Sequence, residues 1–270
     1  MGGDETSRQV PEGPGGTDLP PGLPTVAGDR PRLVRQILGD PEPCVYLPAE
    51  QARMSFRYVE GCPGDAYQDM LERGWRRFGR MFFRPACAAC HECRSLRLDV
   101  VGFEPTRSMR RNQRRNQDLE VRIGRPSLSG AHLDLYRRYH RDMAERRGWP
   151  DRGIDPLDYY RTFIEGFGGF GYELRLELDG RLVGVSLFDR LPAAVSAVYS
   201  FYEPELRSRG LGVFALLCQV RLARDDGIPW LYLGFRVAGN PSMRYKAQYR
   251  PHQLLEGRPD LSEEPEWSPG

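Results

Sequence analysis

Lysine is nearly absent from this chain: of 39 basic residues, 38 are arginine and one, Lys246, is lysine. Guanidinium and ammonium differ in shape, hydration and ease of deprotonation. A lone lysine among arginines therefore marks a position that needs a compact ammonium, with chance survival as the competing account. Long apolar runs are missing as well, which excludes a membrane-spanning helix. No basic-then-apolar leader opens the chain, so the expectation is a cytoplasmic protein with no membrane partner. Histidine is scarce, and His132, His140 and His252 show no metal-ligand spacing. The charges almost cancel, at net +2, so affinity for nucleic acid can come only from where the arginines lie. Six cysteines without a leader point to metal ligands or free thiols rather than disulfides. What the chain does have is 40% apolar residues over 270 positions, enough for two modest domains or one large one.

The pattern is α+β. Residues 1–31, rich in Gly, Pro and Asp, read as a disordered lead-in, and residues 256–270 as a loose acidic tail. Residues 32–118 form a smaller Cys-containing, Arg-rich unit. It holds an expected strand at 54–59, a helix at 65–77, strands at 78–84 and 95–100, and a helix from 105. Residues 119–255 form the second unit. A strand at 119–123 and helices at 131–147 and 156–166 precede three alternating strands, 172–178, 181–190 and 194–202. Tight turns at Asp179-Gly180 and Pro192-Ala193 join these strands as an antiparallel meander. A helix at 213–223 and a buried strand at 230–235 complete it.

Three groups of residues carry chemistry. The turn Arg207-Ser-Arg-Gly-Leu-Gly212 joins a strand to a helix. Glycines opening a helix let backbone N–H groups approach a phosphate; a merely tight connection explains them about as well. Cys87-x-x-Cys90-x-x-Cys93 gives three thiols at metal-ligand spacing, and Cys44 or His91 would complete a zinc or iron–sulfur set. Reduced, partly buried thiols are the alternative, and Cys62 and Cys218 are bystanders. On the helix from 105, Arg107, Arg110, Arg111, Arg114 and Arg115 share an arc of about 140°. Between residues 75 and 115 eleven arginines face only Glu92, Asp99 and Glu104. Such a stripe suits an RNA backbone, where each phosphate contact releases counterions.

A meander followed by glycine turn, helix and strand is the layout of GNAT acyltransferases. The ordered run YSFYEPEL, LG, YLGF and G-x-P-x-M-x-Y-K-A-x-Y-R-P is similar to the aminoacyl-tRNA–protein transferases of the N-end rule. It resembles most their bacterial branch, the aspartate/glutamate leucyltransferases, close relatives of the arginyltransferases. FGRMFFRPACAACHECRSLRLDV, PTRSMRRNQRRN and CVYLP extend the likeness over residues 44–255. The resemblance implies a GNAT-like transfer domain behind a smaller cysteine-containing α+β domain. It implies transfer of an amino acid from leucyl- or arginyl-tRNA to proteins beginning with Asp or Glu, marking them for degradation, and it favours leucine. No cofactor is required for transfer. Where the eukaryotic arginyl branch has a second cysteine near Cys44, Leu47 stands here, which puts the full metal site in question.

On that reading Arg207, Arg209, Gly210 and Gly212 face the 3′-terminal phosphates of the tRNA. Lys246 and Tyr245 close the site, and Tyr202 and Glu203 are the nearest groups for proton handling. Arg76, Arg77 and Arg84 wall the pocket for the acceptor's carboxylate. Two other classes compete. A CoA-dependent N-acetyltransferase would use the same turn without needing the arginine stripe. A non-catalytic RNA-binding protein would bind tRNA and transfer nothing.

Overall fold

The computed structural model describes residues 31–150, 153–166 and 169–270. Residues 1–30, nearly all of the expected disordered lead-in, lie outside the described residues. Strands β1 (Arg32–Leu38), β2 (Glu42–Pro43), β3 (Gln51–Ala52) and β4 (Met54–Glu60) lead to helix α1 (Gly64–Glu72). Then come β5 (Arg76–Phe78), β6 (Met81–Pro85), β7 (Arg94–Asp99), α2 (Arg107–Arg115), β8 (Glu120–Gly124) and α3 (Gly130–Arg147). Helix α4 (Pro156–Tyr159) runs on into a π-helical turn, Tyr160–Ile164. The meander is β9 (Gly171–Leu178), β10 (Arg181–Arg190) and β11 (Ala194–Tyr202), and a 3-10 turn (Pro204–Arg209) follows it. The chain closes with α5 (Leu211–Asp225), β12 (Trp230–Arg236), α6 (Pro241–Arg244), a second 3-10 turn (Tyr245–Gln248), β13 (His252–Leu255) and β14 (Trp267–Pro269).

Local chemistry sets these boundaries. Thr106 caps α2 by accepting from Met109 N–H, and Ser129 caps α3 by accepting from His132 N–H. Asp179 and Gly180 both take positive φ, 51° and 75°, which fits the two-residue hairpin between β9 and β10. The helix expected over 65–77 ends at Glu72. Gly74 takes φ +83°, and a Cβ there would sit 2.9 Å from Leu255 Cδ2. The chain reverses at that point, so Arg76 and Arg77 stand on a strand rather than a helix.

Two main sheets result. One is four-stranded, in the order β1-β4-β6-β5; the other is eight-stranded, β14-β13-β7-β12-β11-β10-β9-β8. Side-chain alternation along β12 sends Leu231 and Leu233 into a core under α5 and α2, and Tyr232 into a second core with α1 and Trp75. A third, aromatic core lies under α3 and the π turn, with Tyr136, Tyr159, Phe163 and Phe201. Strand β7 comes from the first expected unit yet pairs with both β12 and β13. The large sheet thus runs across the boundary expected at residue 118.

Residues 256–270, expected to be a loose tail, are built into the fold. β14 pairs with β13, and Trp267 packs edge-on against Tyr232, their centroids 5.5 Å apart. Arg97 lies over both Trp230 and Trp267, at 4.1 and 4.2 Å from the ring centroids. Arg73 donates to the carbonyls of Asp260 and Glu263. The acidic composition concealed this, because the arginines that hold the segment bind its backbone carbonyls as well as its carboxylates, Arg84 pairing with Asp260 and Arg94 with Glu256. Among the described residues no helix is long and apolar enough to cross a membrane.

Candidate active site

β11 and β12 pair in parallel only at Ala194–Trp230, Val195–Leu231 and Ser196–Tyr232. Beyond Ser196 they part, and the opening receives two cations. Gly234 sits after a register shift in β12 with φ +77°; a Cβ there would lie 3.6 Å from Lys246 Nζ and 3.7 Å from Arg76 Nε. The positive φ is what favours glycine here, since the added Cβ would meet both side chains only at ordinary contact distance. Lys246 Nζ donates to Phe235 O at 2.6 Å. Arg76 Nη2 donates to Ala197 O, while Arg76 Nη1 is buried without a partner. Lys246 is 9% exposed and Arg76 6%. Burial first, then the Arg76 charge, pushes the Lys246 pKa down to about 7, opposed by the field of Cys93. Burial likewise lowers Arg76. Among the described residues no carboxylate pairs with either cation; the nearest in field, Asp189, is bound to Arg77. Two buried cations without an anion are costly, and the arrangement is complementary to an incoming carboxylate or phosphate.

Aromatic rings line the β11 side of the opening. Tyr199 Oη lies 2.9 Å from His140 Nε2, and Tyr202 packs edge-on against Tyr139, centroids 5.1 Å apart. Burial raises the Tyr202 phenol. Glu203 is 2% exposed and held by two guanidinium groups: Arg138 Nη2 at 3.0 Å, and Arg181 Nη2. Tyr245, half-exposed, neighbours Tyr202 closely enough for its phenol to feel that ring's charge.

The glycine turn is packed under α2. Asn112 Nδ2 donates to Arg209 O at 2.8 Å and Gly210 O at 3.1 Å, and Asn116 Nδ2 to Arg209 O at 3.0 Å. Gly210 has φ +66°, and a Cβ would meet Asn112 Nδ2 at 2.7 Å. At Gly212 a Cβ would lie 3.4 Å from the Tyr202 ring. Arg209 pairs with Asp118, and Arg207 Nη1 lies 3.5 Å from Asp142. Arg107, Arg110, Arg111, Arg114 and Arg115 are all exposed. Among the described residues none of them pairs with a carboxylate; Arg110 and Arg115 bind the carbonyls of Pro105 and Ser208.

The three arginines expected in the acceptor pocket are spread apart. Arg76 faces the opening. Arg77 is buried against Asp189, donating from Nε at 3.0 Å. Arg84 stacks on Trp75 and donates to Pro259 O at 2.7 Å. Cys44, Cys87 and Cys90 lie close enough to Cys93 for their fields to reach it. Burial first, then the other three thiols, pushes Cys93 up to about 12. Arg258 donates to Cys87 O at 2.6 Å and Cys90 O at 2.5 Å. Among the described residues no three His, Cys, Asp or Glu side chains are set to hold a metal ion.

Sequence reasoning passed over Gly234 and Asn112. A glycine inside the apolar run WLYLGF was the available signal for the first; the second gave none.

Two family models match the chain: arginine-tRNA-protein transferase, N terminus, over residues 42–111, and its C terminus over 131–256. Relatives named aspartate/glutamate leucyltransferase are similar over most of its length. That of Campylobacter jejuni is 39% identical, covering 82% of this chain and 92% of the relative. That of Helicobacter hepaticus is 34% identical (87% and 98%), and that of Halorhodospira halophila 41% (80% and 91%). Two solved structures share fainter outlines. They are FemX, at TM-score 0.41 and 11% identity over 63% of this chain and 59% of that one, and a GCN5-related N-acetyltransferase-like protein from Streptococcus suis, at 0.30 and 14% over 82% and 85%. Those scores are too low to bear on the fold.

Proposed function

The chain belongs to the arginine-tRNA–protein transferase family, and we propose that it acts as its relatives' name says, as an aspartate/glutamate leucyltransferase. Leucine passes from the ester of leucyl-tRNA to the α-amine of a protein beginning with Asp or Glu, which marks that protein for degradation. The observation that carries the reading is the buried pair Arg76 and Lys246, which has no anion of its own among the described residues. An acceptor's side-chain carboxylate supplies one. Arg77 and Arg84, engaged elsewhere, hold the walls rather than the ligand.

The ester is already activated, so positioning and oxyanion stabilisation do most of the work. The neutral α-amine attacks the ester carbonyl, forming the new C–N bond. The tetrahedral oxyanion takes a backbone N–H from β11 near Ser200 to Tyr202, past the point where β12 departs. Collapse breaks the C–O bond and releases tRNA, and the amine's proton ends on the ribose oxygen. Tyr202, kept protonated by burial, relays it: the phenol gives its proton to that oxygen as it takes up the one the amine loses. Glu203, bound by Arg138 and Arg181, fixes the strand end. The terminal phosphates lie by Arg207, Arg209, Gly210, Gly212 and Tyr245, and the tRNA body along the α2 arginines. GNAT acyltransferases share this layout of meander, turn, helix and parallel strand.

Cys44, Cys87, Cys90 and Cys93 are chemically the donors that a structural zinc ion or iron–sulfur cluster takes, but as placed no three of them are set to hold one. Transfer itself needs no such group. The experiment is incubation with radiolabelled leucyl- or arginyl-tRNA and peptides beginning with Asp, Glu or Ala. Leucine is expected on the first two only; label on none of them, or arginine in place of leucine, overturns the assignment.

A further inference from the structure

A groove of about 520 Å³ opens on the four-stranded sheet, lined by Arg35, Tyr58, Phe78, Met81 and Arg161 among others. Strand register explains its floor. Phe78 lies opposite Met81, Met81 opposite Tyr58, and Tyr58 opposite Arg35, so one row of side chains crosses all four strands on one face. The next row on the same face is Arg76–Phe83–Phe56–Ile37. Arg76, the buried cation of the active site, is thus the end of an apolar, half-exposed sheet face. Phe83 ties it to the opening by stacking on Phe78 at 5.3 Å and meeting Phe235 at 6.5 Å. The far wall is the π-helical turn, a distortion frequent at functional sites. It is locked to the β5–β6 hairpin, because a Cβ on Gly79 would lie 1.9 Å from Arg161 O.

We infer that this face holds the stretch of the acceptor protein just after its first residue, laid extended from Arg76 towards Arg35. The inference rests on the transfer reading above and adds to it a second determinant of acceptor choice. Continuity with the cation pair argues for this occupant. Charge argues the same way. Glu60 and Glu165 are already paired with Arg80, so the groove is close to neutral, unlike the arginine stripe for RNA on α2. Arg35 and Arg161 are exposed, and among the described residues neither has a carboxylate partner. Three interstrand steps of about 4.8 Å across and one two-residue step of about 7 Å along the strands separate Arg76 from Arg35, roughly 16 Å, the span of between four and five extended residues. The acceptor's fifth residue therefore meets Arg35, and an acidic side chain is favoured there.

The test compares kcat/KM for three acceptors: a dipeptide beginning with Asp, and two octapeptides beginning with Asp that carry Glu or Lys at position five. The unaltered protein should prefer the Glu octapeptide to the Lys octapeptide by about fivefold, through KM, as expected of one exposed ion pair. Arg35→Glu should invert that preference, and Tyr58→Ser should shrink the advantage of the octapeptide over the dipeptide. Equal efficiency for all acceptors, or a preference that Arg35→Glu leaves in place, overturns the inference while leaving the transfer reading standing. So does an Arg35→Glu effect confined to KM for leucyl-tRNA, which would give the face to RNA. No transfer to any acceptor by the unaltered protein sinks both.

Discussion

Lys246 is a cation at a position where its charge is disfavoured. Its pKa is pushed down to about 7 from an ordinary value near 10.5, by burial and by Arg76. Between those values the folded chain binds fewer protons than the unfolded chain, so this residue makes stability rise with pH from about 7 to about 10.5. Below about 7 the folded state carries the full cost of the charge. Lys246→Met should remove that slope, as read from urea midpoints at several pH values; an unchanged slope would place the titration elsewhere. An acceptor carboxylate favours the charged form, so binding takes up a proton, and KM for Asp-peptides should rise as pH passes about 7. The attacking α-amine, ordinarily near 7.7–8.0, pulls the other way by needing to be neutral. Lys246 could be singled out from the sequence because composition isolates it. Its partner could not: Arg76 is one of 38 arginines, and only the fold shows which of them faces the splayed strands.

At the scale of elements, α2 does two jobs on its two sides. Its asparagines bind the glycine turn, and its arginines stay exposed. Among the described residues Arg107, Arg111 and Arg114 bind nothing, so replacing these three with Gln should leave the fold intact. The log–log dependence of tRNA affinity on salt should flatten by roughly two to three units; an unaltered slope would take RNA off this helix. The tail is a different kind of element, because a loop of acidic composition supplies carbonyls and an indole to inward arginines. Trp267→Ala should cost about 2–3 kcal/mol, seen in thermal melts, since it strips one ring from Arg97 and uncovers Tyr232. The meander, α3, α5 and the α2 stripe were legible in the sequence because periodicity, turn residues and caps all agreed there. The tail strand, β1 and the early end of α1 were not. Their places depend on distant partners, such as Leu255 against Gly74, that no local pattern announces.

On the scale of the whole molecule, the two expected units share one sheet. β7 lies between β12 and β13, and β5 brings Arg76 across to the mouth between β11 and β12. The half that carries the cysteines therefore supplies one cation of the site, and the transfer half supplies the other. On the proposed function, Arg76 and Lys246 together read the negative side chain of the acceptor. The most direct measurement is the ratio of kcat/KM for peptides beginning with Asp and with Asn, in the unaltered protein and in Lys246→Met. The unaltered protein should favour Asp by roughly 10²-fold, the scale set by pairing a buried charge, and Lys246→Met should lose most of that preference. A variant that keeps the full preference for Asp would contradict the account.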